Sequence, residues 1–366
     1  MSADLTIQSP ESWYWGKQHP IIIAGPCSAE SEEQVLLTAH QLAEIPSIST
    51  LRAGVWKPRT RPDGFEGAGE NAIQWLLKAR AETGLKLTVE VAKPEHVQLC
   101  LKHNIDMLWI GARTSANPFS VQEIAESLRG VDIPVLVKNP VHPDLKLWIG
   151  AIERLNKSGI QKLMAVHRGF FTHEKTSYRN LPLWEIPIEL KRLCPTLPVL
   201  CDPSHISGKR KLLASVSQKA MDLAFDGIMI ESHFNPNIAK TDANQQITPE
   251  NLKELLTNLI LRQESGNAEL GETLENLRFE LDRLDHDLLE ILGQRMDKIR
   301  EIGNYKKDRN MTVLQIERLR SMILERIEVG KDLNLDQKFV LKLLQLVHNE
   351  SIRIQTGILN EDEEIL

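Results

Sequence analysis

Short apolar runs alternate with amphipathic stretches through the first two thirds of the chain, and then the alternation stops. Runs rich in β-branched and aliphatic residues cover 21–26, 49–55, 86–91, 107–112, 134–138, 161–166, 198–201 and 227–231. Between them apolar positions recur three and four apart, as over Glu70–Thr83 and Asp144–Ser158, which is the period of one helix face. Eight strand patterns with helical patterns between them, spread over roughly 250 residues, predict an α/β fold of the (β/α)8 TIM-barrel type. A doubly wound open sheet is the alternative, because periodicity does not show closure. From Leu274 the pattern is helical throughout, with Leu277, Leu281, Leu284, Leu288, Ile291, Leu292, Ile299 and Ile302 in register. It predicts one long helix over 272–308 and shorter ones over 314–329 and 336–357. One long and two short helices leave much of the long apolar stripe bare, so this all-helical domain is expected to dimerise with a second copy.

Composition sharpens the boundary. After Pro249 there is no proline, cysteine or tryptophan, although the whole chain has 18 prolines and seven tryptophans in its 366 residues. The polar stretch 263–271 reads as a linker between a barrel domain, 1–262, and a helical domain, 272–366. With 44 Lys+Arg against 50 Asp+Glu the net charge is −6, which gives no basic excess for nucleic acid or an anionic membrane. Four scattered cysteines and an N-terminus without an apolar core fit a reducing compartment, so the expected location is cytoplasmic.

Each strand run delivers a polar group at its C-terminal end, the rim where barrel enzymes place their active sites. Strand one ends in Gly25-Pro26-Cys27-Ser28, and strand two carries Arg52 into Lys57-Pro58-Arg59-Thr60. The later strands end in Glu90, Gly111-Ala112-Arg113, Lys138-Asn139, His167-Arg168-Gly169, Asp202-Pro203-Ser204-His205 and Glu231-Ser232-His233. Arg52, Lys57, Arg59, Arg113, Lys138 and Arg168 would converge there, and such a cationic cluster calls for a ligand with more than one phosphate or carboxylate. Cys27, His205, Glu231 and Asp242 would meet at the same rim. This mixed soft and hard donor set suits Mn, Fe, Co or Zn better than Mg or Ca. Taken singly, each of the four reads equally well as a core residue.

Together, Gly25-Pro26-Cys27-Ser28, Lys57-Pro58-Arg59-Thr60, Gly111-Ala112-Arg113, His167-Arg168-Gly169 and Asp202-Pro203-Ser204-His205 resemble 3-deoxy-D-arabino-heptulosonate 7-phosphate (DAHP) synthases. The likeness is to the branch related to 3-deoxy-manno-octulosonate 8-phosphate synthase, and it spans residues 20–262. It implies condensation of phosphoenolpyruvate with erythrose 4-phosphate on one divalent metal, manganese foremost, held by Cys27, His205, Glu231 and Asp242. Arg52, Lys57, Arg113, Lys138 and Arg168, with His167 beside them, would bind phosphoenolpyruvate. Arg59 and Thr60 would receive the aldose, and Lys57 is the candidate proton donor. The octulosonate synthases typically carry Lys-Ala-Asn where this chain has Lys57-Pro58-Arg59-Thr60, which favours the heptulosonate reaction.

The helical region resembles the all-helical chorismate mutases over residues 274–356, through Leu277-Arg278, Asp285, Arg295, Ile302-Gly303, Lys306, Arg318 and Ser351-Ile-Arg-Ile-Gln355. The resemblance implies an intertwined dimer in which Arg278 serves the partner's site. Arg278, Arg295 and Arg318 would bind the carboxylates of chorismate, with Ser351 adjacent, while Lys306 and Gln355 would donate to the ether oxygen. The rearrangement to prephenate is pericyclic, so orientation and preorganised donors suffice. Two positions depart from the pattern, since Leu319 and Gln315 stand where acidic residues are usual. They motivate the alternative of a non-catalytic, product-sensing and dimerising module that carries allosteric feedback.

Overall fold

Eight parallel strands pair in sequence order and close on themselves. They are β1 (Ile21–Gly25), β2 (Ile48–Ala53), β3 (Lys86–Val91), β4 (Met107–Ile110), β5 (Val135–Lys138), β6 (Leu163–His167), β7 (Val199–Cys201) and β8 (Gly227–Glu231). The ring shuts where β8 pairs with β1 in the register Ile21↔Gly227 to Gly25↔Glu231. This computed structural model describes residues 5–14, 19–56, 65–173, 175–262 and 268–360. The chain divides into two compact units, Met1–Glu264 and Ser265–Leu366.

Around the strands of the first unit lie α1 (Glu32–Ala43), α2 (Glu70–Thr83), α3 (Pro94–Lys102), α4 (Ala112–Ser115), α5 (Pro118–Ser127), α6 (Leu145–Lys157), α7 (Glu185–Leu193), α8 (Pro203–Ser207), α9 (Leu213–Asp222) and α10 (Pro249–Thr257). Side-chain oxygens of Ser31, Asn117, Asp144 and Thr248 accept backbone N–H groups at the starts of α1, α5, α6 and α10. These caps satisfy donors that the helices cannot pair internally.

Strands covered on both faces read as continuous apolar runs, which is why all eight were visible in the sequence. Alternate residues part between two cores. Ile22, Ala24, Leu51, Leu87, Val89, Leu108, Val137 and Ala165 join the layer between strands and helices. Ile21, Ile23, Met107, Trp109, Leu136, Met164, Val166, Leu200 and Met229 fill the barrel interior. Tyr14 joins that interior cluster, its hydroxyl 3.0 Å from Ser49 Oγ and 3.2 Å from Thr50 Oγ1, at the N-terminal end of β2. On six of the eight strands the next inward position toward the C-terminal rim falls on a polar residue, Arg52, Glu90, Lys138, Arg168, Asp202 or Glu231, while β1 and β4 place Gly25 and Gly111 there. Gly25 turns at the end of β1 with φ +150°, and a Cβ there would lie 2.1 Å from the Arg52 carbonyl oxygen, so no other residue fits.

The second unit comprises α11 (Ala268–Asp308), α12 (Ile316–Asp332) and α13 (Gln337–Asn360), with α13 packed against both others. The long helix starts earlier than its apolar stripe suggests. Ala268, Glu269 and Leu270 are strong helix formers, so the helix takes in Ala268–Gly271, the end of the expected linker. Positions 263–267 lie outside the described residues.

Candidate active site

The upper layer of the barrel is a lattice of buried charges. Trp109 forms its floor, with the Arg52 guanidinium 5.0 Å and the Lys138 ammonium 5.9 Å from the ring centroid. Lys138 Nζ donates to Asp202 Oδ2 at 2.7 Å, and Arg52 Nη2 lies 3.3 Å from Glu231 Oε1. Arg52 Nε and Nη1 find no hydrogen-bond partner among the described residues. Burial disfavours the Arg52 charge, but Glu231, Asp202, Cys27 and Glu90 outweigh it and hold the guanidinium above its ordinary value. Burial pushes the Lys138 ammonium down, Asp202 opposing. For the Asp202 carboxyl, burial is overridden by His205, Lys138 and Arg52, which hold it well below the usual range.

Arg168 follows β6 on the inward side. Its backbone N–H donates to Asn139 Oδ1 at 2.7 Å, and burial lowers its guanidinium to about 10, so it stays charged at neutral pH. Arg113 stands on α4, exposed and close enough to Arg168 for the two charges to repel. Lys57, Arg59 and Thr60 lie outside the described residues.

The donor atoms of Cys27, Glu231 and Asp242 all lie within 4.8 Å of one another. Cys27 Sγ is 3.5 Å from Asp242 Oδ2. His205 stands beside this trio, its Nε2 3.7 Å from Glu231 Oε1 and its Nδ1 2.8 Å from Asp202 Oδ2. Burial lowers the pKa of the ring, which favours the neutral imidazole that a metal requires, and an acid partner on the far nitrogen is the usual way to orient it. A thiol, an imidazole and two carboxylates thus fit a divalent transition ion.

His167 does not join this group. Arg168 is inward, so strand alternation turns His167 outward, among Trp184, Phe170 and Phe225, with ring centroids 5.2, 5.7 and 6.2 Å away. The expectation that it binds substrate is corrected on this ground.

Sequence reasoning missed the residues that orient the donors. Gln245 Nε2 donates to Glu231 Oε2 at 2.7 Å, and Gln246 Oε1 accepts the Cys27 N–H at 3.0 Å. Arg179 Nη1 is 3.0 Å from Asp242 Oδ1 and 2.5 Å from Gln245 Oε1. All three sit in loops without periodicity, and no sequence signal marked them.

In the helical unit, Arg295 Nη1 donates to Ser351 Oγ at 2.7 Å, joining α11 to α13. Gln355, one turn beyond Ser351, is buried with its Oε1 lacking a partner among the described residues. Lys306 is buried and donates to the Val313 carbonyl at 2.6 Å. Burial lowers the pKa of both Arg295 and Lys306. His348, unforeseen from sequence, shares their field, its charged form disfavoured by burial and then by the two cations. Arg278 pairs instead with Glu275 of its own helix at 2.5 Å, and Arg318 is exposed on α12.

A closed barrel with a cationic rim, followed by a helical unit holding a second cationic set, has the layout of a two-part enzyme. Residues 4–265 match the DAHP synthetase I family and residues 277–356 match chorismate mutase type II. The chain belongs to the DAHP synthetase I family and carries a chorismate mutase domain fused behind the barrel. It is 34% identical over 241 residues to the phospho-2-dehydro-3-deoxyheptonate aldolase of Thermotoga maritima, covering 66% of this chain and 69% of that protein. It is 27% identical over 264 residues to the 2-dehydro-3-deoxyphosphooctonate aldolase of Wolinella succinogenes, covering 66% of this chain and 98% of that protein. The crystal structure of the Thermotoga maritima DAHP synthase superposes with a TM-score of 0.61 at 29% identity, over 70% of this chain and 75% of that one. The mutase match does not favour a purely sensory helical unit. Among the described residues no helix is long and apolar enough to cross a membrane.

Proposed function

We propose that the barrel condenses phosphoenolpyruvate with erythrose 4-phosphate, and that the helical unit rearranges chorismate to prephenate as a homodimer in the cytoplasm. The observation that carries the first half is the meeting of the Cys27, Glu231 and Asp242 donors with Arg52, Lys138 and Arg168 on one rim. Cys27, His205, Glu231 and Asp242 would hold a divalent ion, manganese first, with iron, cobalt or zinc as alternatives. Such an ion supplies Lewis acidity toward a carbonyl oxygen. Arg52, Lys138, Arg168 and Arg113 hold the phosphate and carboxylate of phosphoenolpyruvate, and the unpartnered Arg52 donors need just such an anion. Asp202 keeps Lys138 in place, and Trp109 closes the floor against water. Lys57 is the proposed proton donor to the oxygen that gains charge, with Arg59 and Thr60 receiving the aldose.

In the helical unit Arg295, Ser351, Lys306 and Gln355 make a preorganised donor set, and Arg278 and Arg318 would complete the carboxylate grip. Leu274, Leu277, Leu281, Leu284 and Leu288 are exposed on α11 beside Arg278, the face a second copy would cover. That arrangement would bring the partner's arginine to the site.

The test is to follow loss of phosphoenolpyruvate and of chorismate in the purified full-length chain, with and without a chelator. Chelation should abolish condensation, manganese should restore it, and mutase turnover should not change. Condensation that survives metal removal, or that takes arabinose 5-phosphate in preference, would overturn the barrel assignment.

A further inference from the structure

The donor residues come from the loop after β1 (Cys27), from α8 (His205), from the end of β8 (Glu231) and from the loop that follows it (Asp242), and the last needs outside help to hold its place. Asp242 sits in the left-handed region at φ +48°, in the loop after β8. The two residues before it are tied to a carboxylate from the opposite side of the closure seam. Glu30, in the loop between β1 and α1, accepts the Lys240 N–H at 2.9 Å on both oxygens and the Thr241 N–H at 3.2 Å on Oε1. The Thr241 hydroxyl lies 2.9 Å from Ser28 Oγ and 3.2 Å from Glu30 Oε1. Gln246 Nε2 donates to the Thr241 carbonyl at 2.7 Å while its Oε1 takes the Cys27 N–H. Cys27 and Asp242 are thereby joined through Ser28, Glu30, Thr241 and Gln246.

Glu30 is only 9% exposed, and among the described residues no Lys, Arg or His lies within ion-pair distance of its carboxylate. A buried carboxylate is costly unless its charge is answered, and here the answer comes from main-chain N–H groups. Resting on the metal-site reading above, we propose that Glu30 is a positioning residue for the metal centre: it fixes the 240–242 backbone so that the strained Asp242 faces Cys27 and Glu231. Glu30 and Thr241 both act through Asp242.

The experiment uses metal-free full-length protein titrated with Co2+, read by the thiolate-to-cobalt absorption that Cys27 would give, beside thermal unfolding of the metal-free form. Glu30→Gln keeps the side-chain volume but turns an amide N–H2 toward the Lys240 N–H. It should weaken cobalt binding by roughly 10- to 100-fold, the range for residues that orient ligands. At saturation the band should keep its position, because Cys27 is undisturbed. Thr241→Val removes only the hydroxyl link and should cost roughly three- to tenfold, as for a single hydrogen bond. It also serves if Glu30→Gln does not fold. Unchanged cobalt affinity in the folded variants, with only a lower melting temperature, would make Glu30 a structural residue and overturn the proposal. A wild-type chain that shows no thiolate band would sink the metal-site reading, and this inference with it.

Discussion

His167 offers a test of where strand alternation puts a side chain. It is fully buried in the aromatic layer outside the barrel, and burial pushes its pKa down to about 3, with the Pro182 carbonyl opposing. Arg168 pushes in the same direction as burial, and Asp202 against it. An unfolded histidine titrates near 6.5, so between those values the unfolded chain binds a proton that the folded barrel refuses. The stability tied to the neutral ring is therefore full above about pH 6.5 and is lost as pH falls toward 3. Between pH 7 and pH 5 the loss from this residue is roughly 2 kcal/mol, at 1.36 kcal/mol per unit of separation. In His167→Leu that part of the acid sensitivity should vanish, while condensation kinetics at pH 7.5 should change little. All seven tryptophans precede residue 185, so tryptophan fluorescence in a urea titration reports barrel unfolding without interference from the helical unit. Equal pH dependence in the two proteins, or a condensation rate lost with the imidazole, would refute the outward placement.

Other consequences follow from single distances. Gly25→Ala would drive a methyl into the Arg52 carbonyl at 2.1 Å at a positive φ, so it should leave little folded barrel, measurable by circular dichroism and solubility. Lys138→Met leaves Asp202 buried without its 2.7 Å partner; it should cost about 3–5 kcal/mol of barrel stability and reduce condensation at least 100-fold, read by urea titration and by phosphoenolpyruvate consumption. Arg278→Ala and Arg295→Ala chains should each lose mutase activity. Mixed and refolded together, they should regain about a quarter of the wild-type rate, because half the dimers carry one intact site. No recovery would mean that each site draws on a single chain.

What could be read from the sequence follows from how far each signal is local. The eight strands were legible because parallel strands are apolar on both faces, and the rule that barrel sites lie at strand C-termini placed Arg52, Lys138, Asp202 and Glu231. The same rule erred at His167, since it names a strand end without fixing parity, and one residue of register turns a side chain to the other face. Arg295 with Lys306, and Ser351 with Gln355, came from the resemblance to the chorismate mutases, with which the helical period agrees by putting each pair on one face. Gln245, Gln246, Arg179 and Glu30 were not legible, because their partners come from distant loops that only the closed fold brings near. The resemblance already set Arg278 apart, as a residue serving the partner's site, whereas nothing in the sequence showed that Arg318 would stand exposed outside the buried set.

The barrel rim also explains how so many buried charges coexist with a stable fold. Burying an ion costs several kcal/mol, which an ion pair recovers only with good geometry and further hydrogen bonds. Lys138 meets that condition with Asp202, whose other oxygen accepts the His205 N–H at 3.1 Å at the start of α8. Arg52 meets it only in part, since its contact with Glu231 is 3.3 Å long and two of its nitrogens have no partner among the described residues. Glu231 is shared between Arg52, His205 and Gln245, which makes it the joint between the cationic half of the rim and the donor half. An arginine held this way is under-satisfied by the protein alone, which is what the proposed anionic substrate would relieve. The apolar lower layer and the outer helices carry the stability of the barrel, and that surplus is what lets its upper layer stay poised for a ligand.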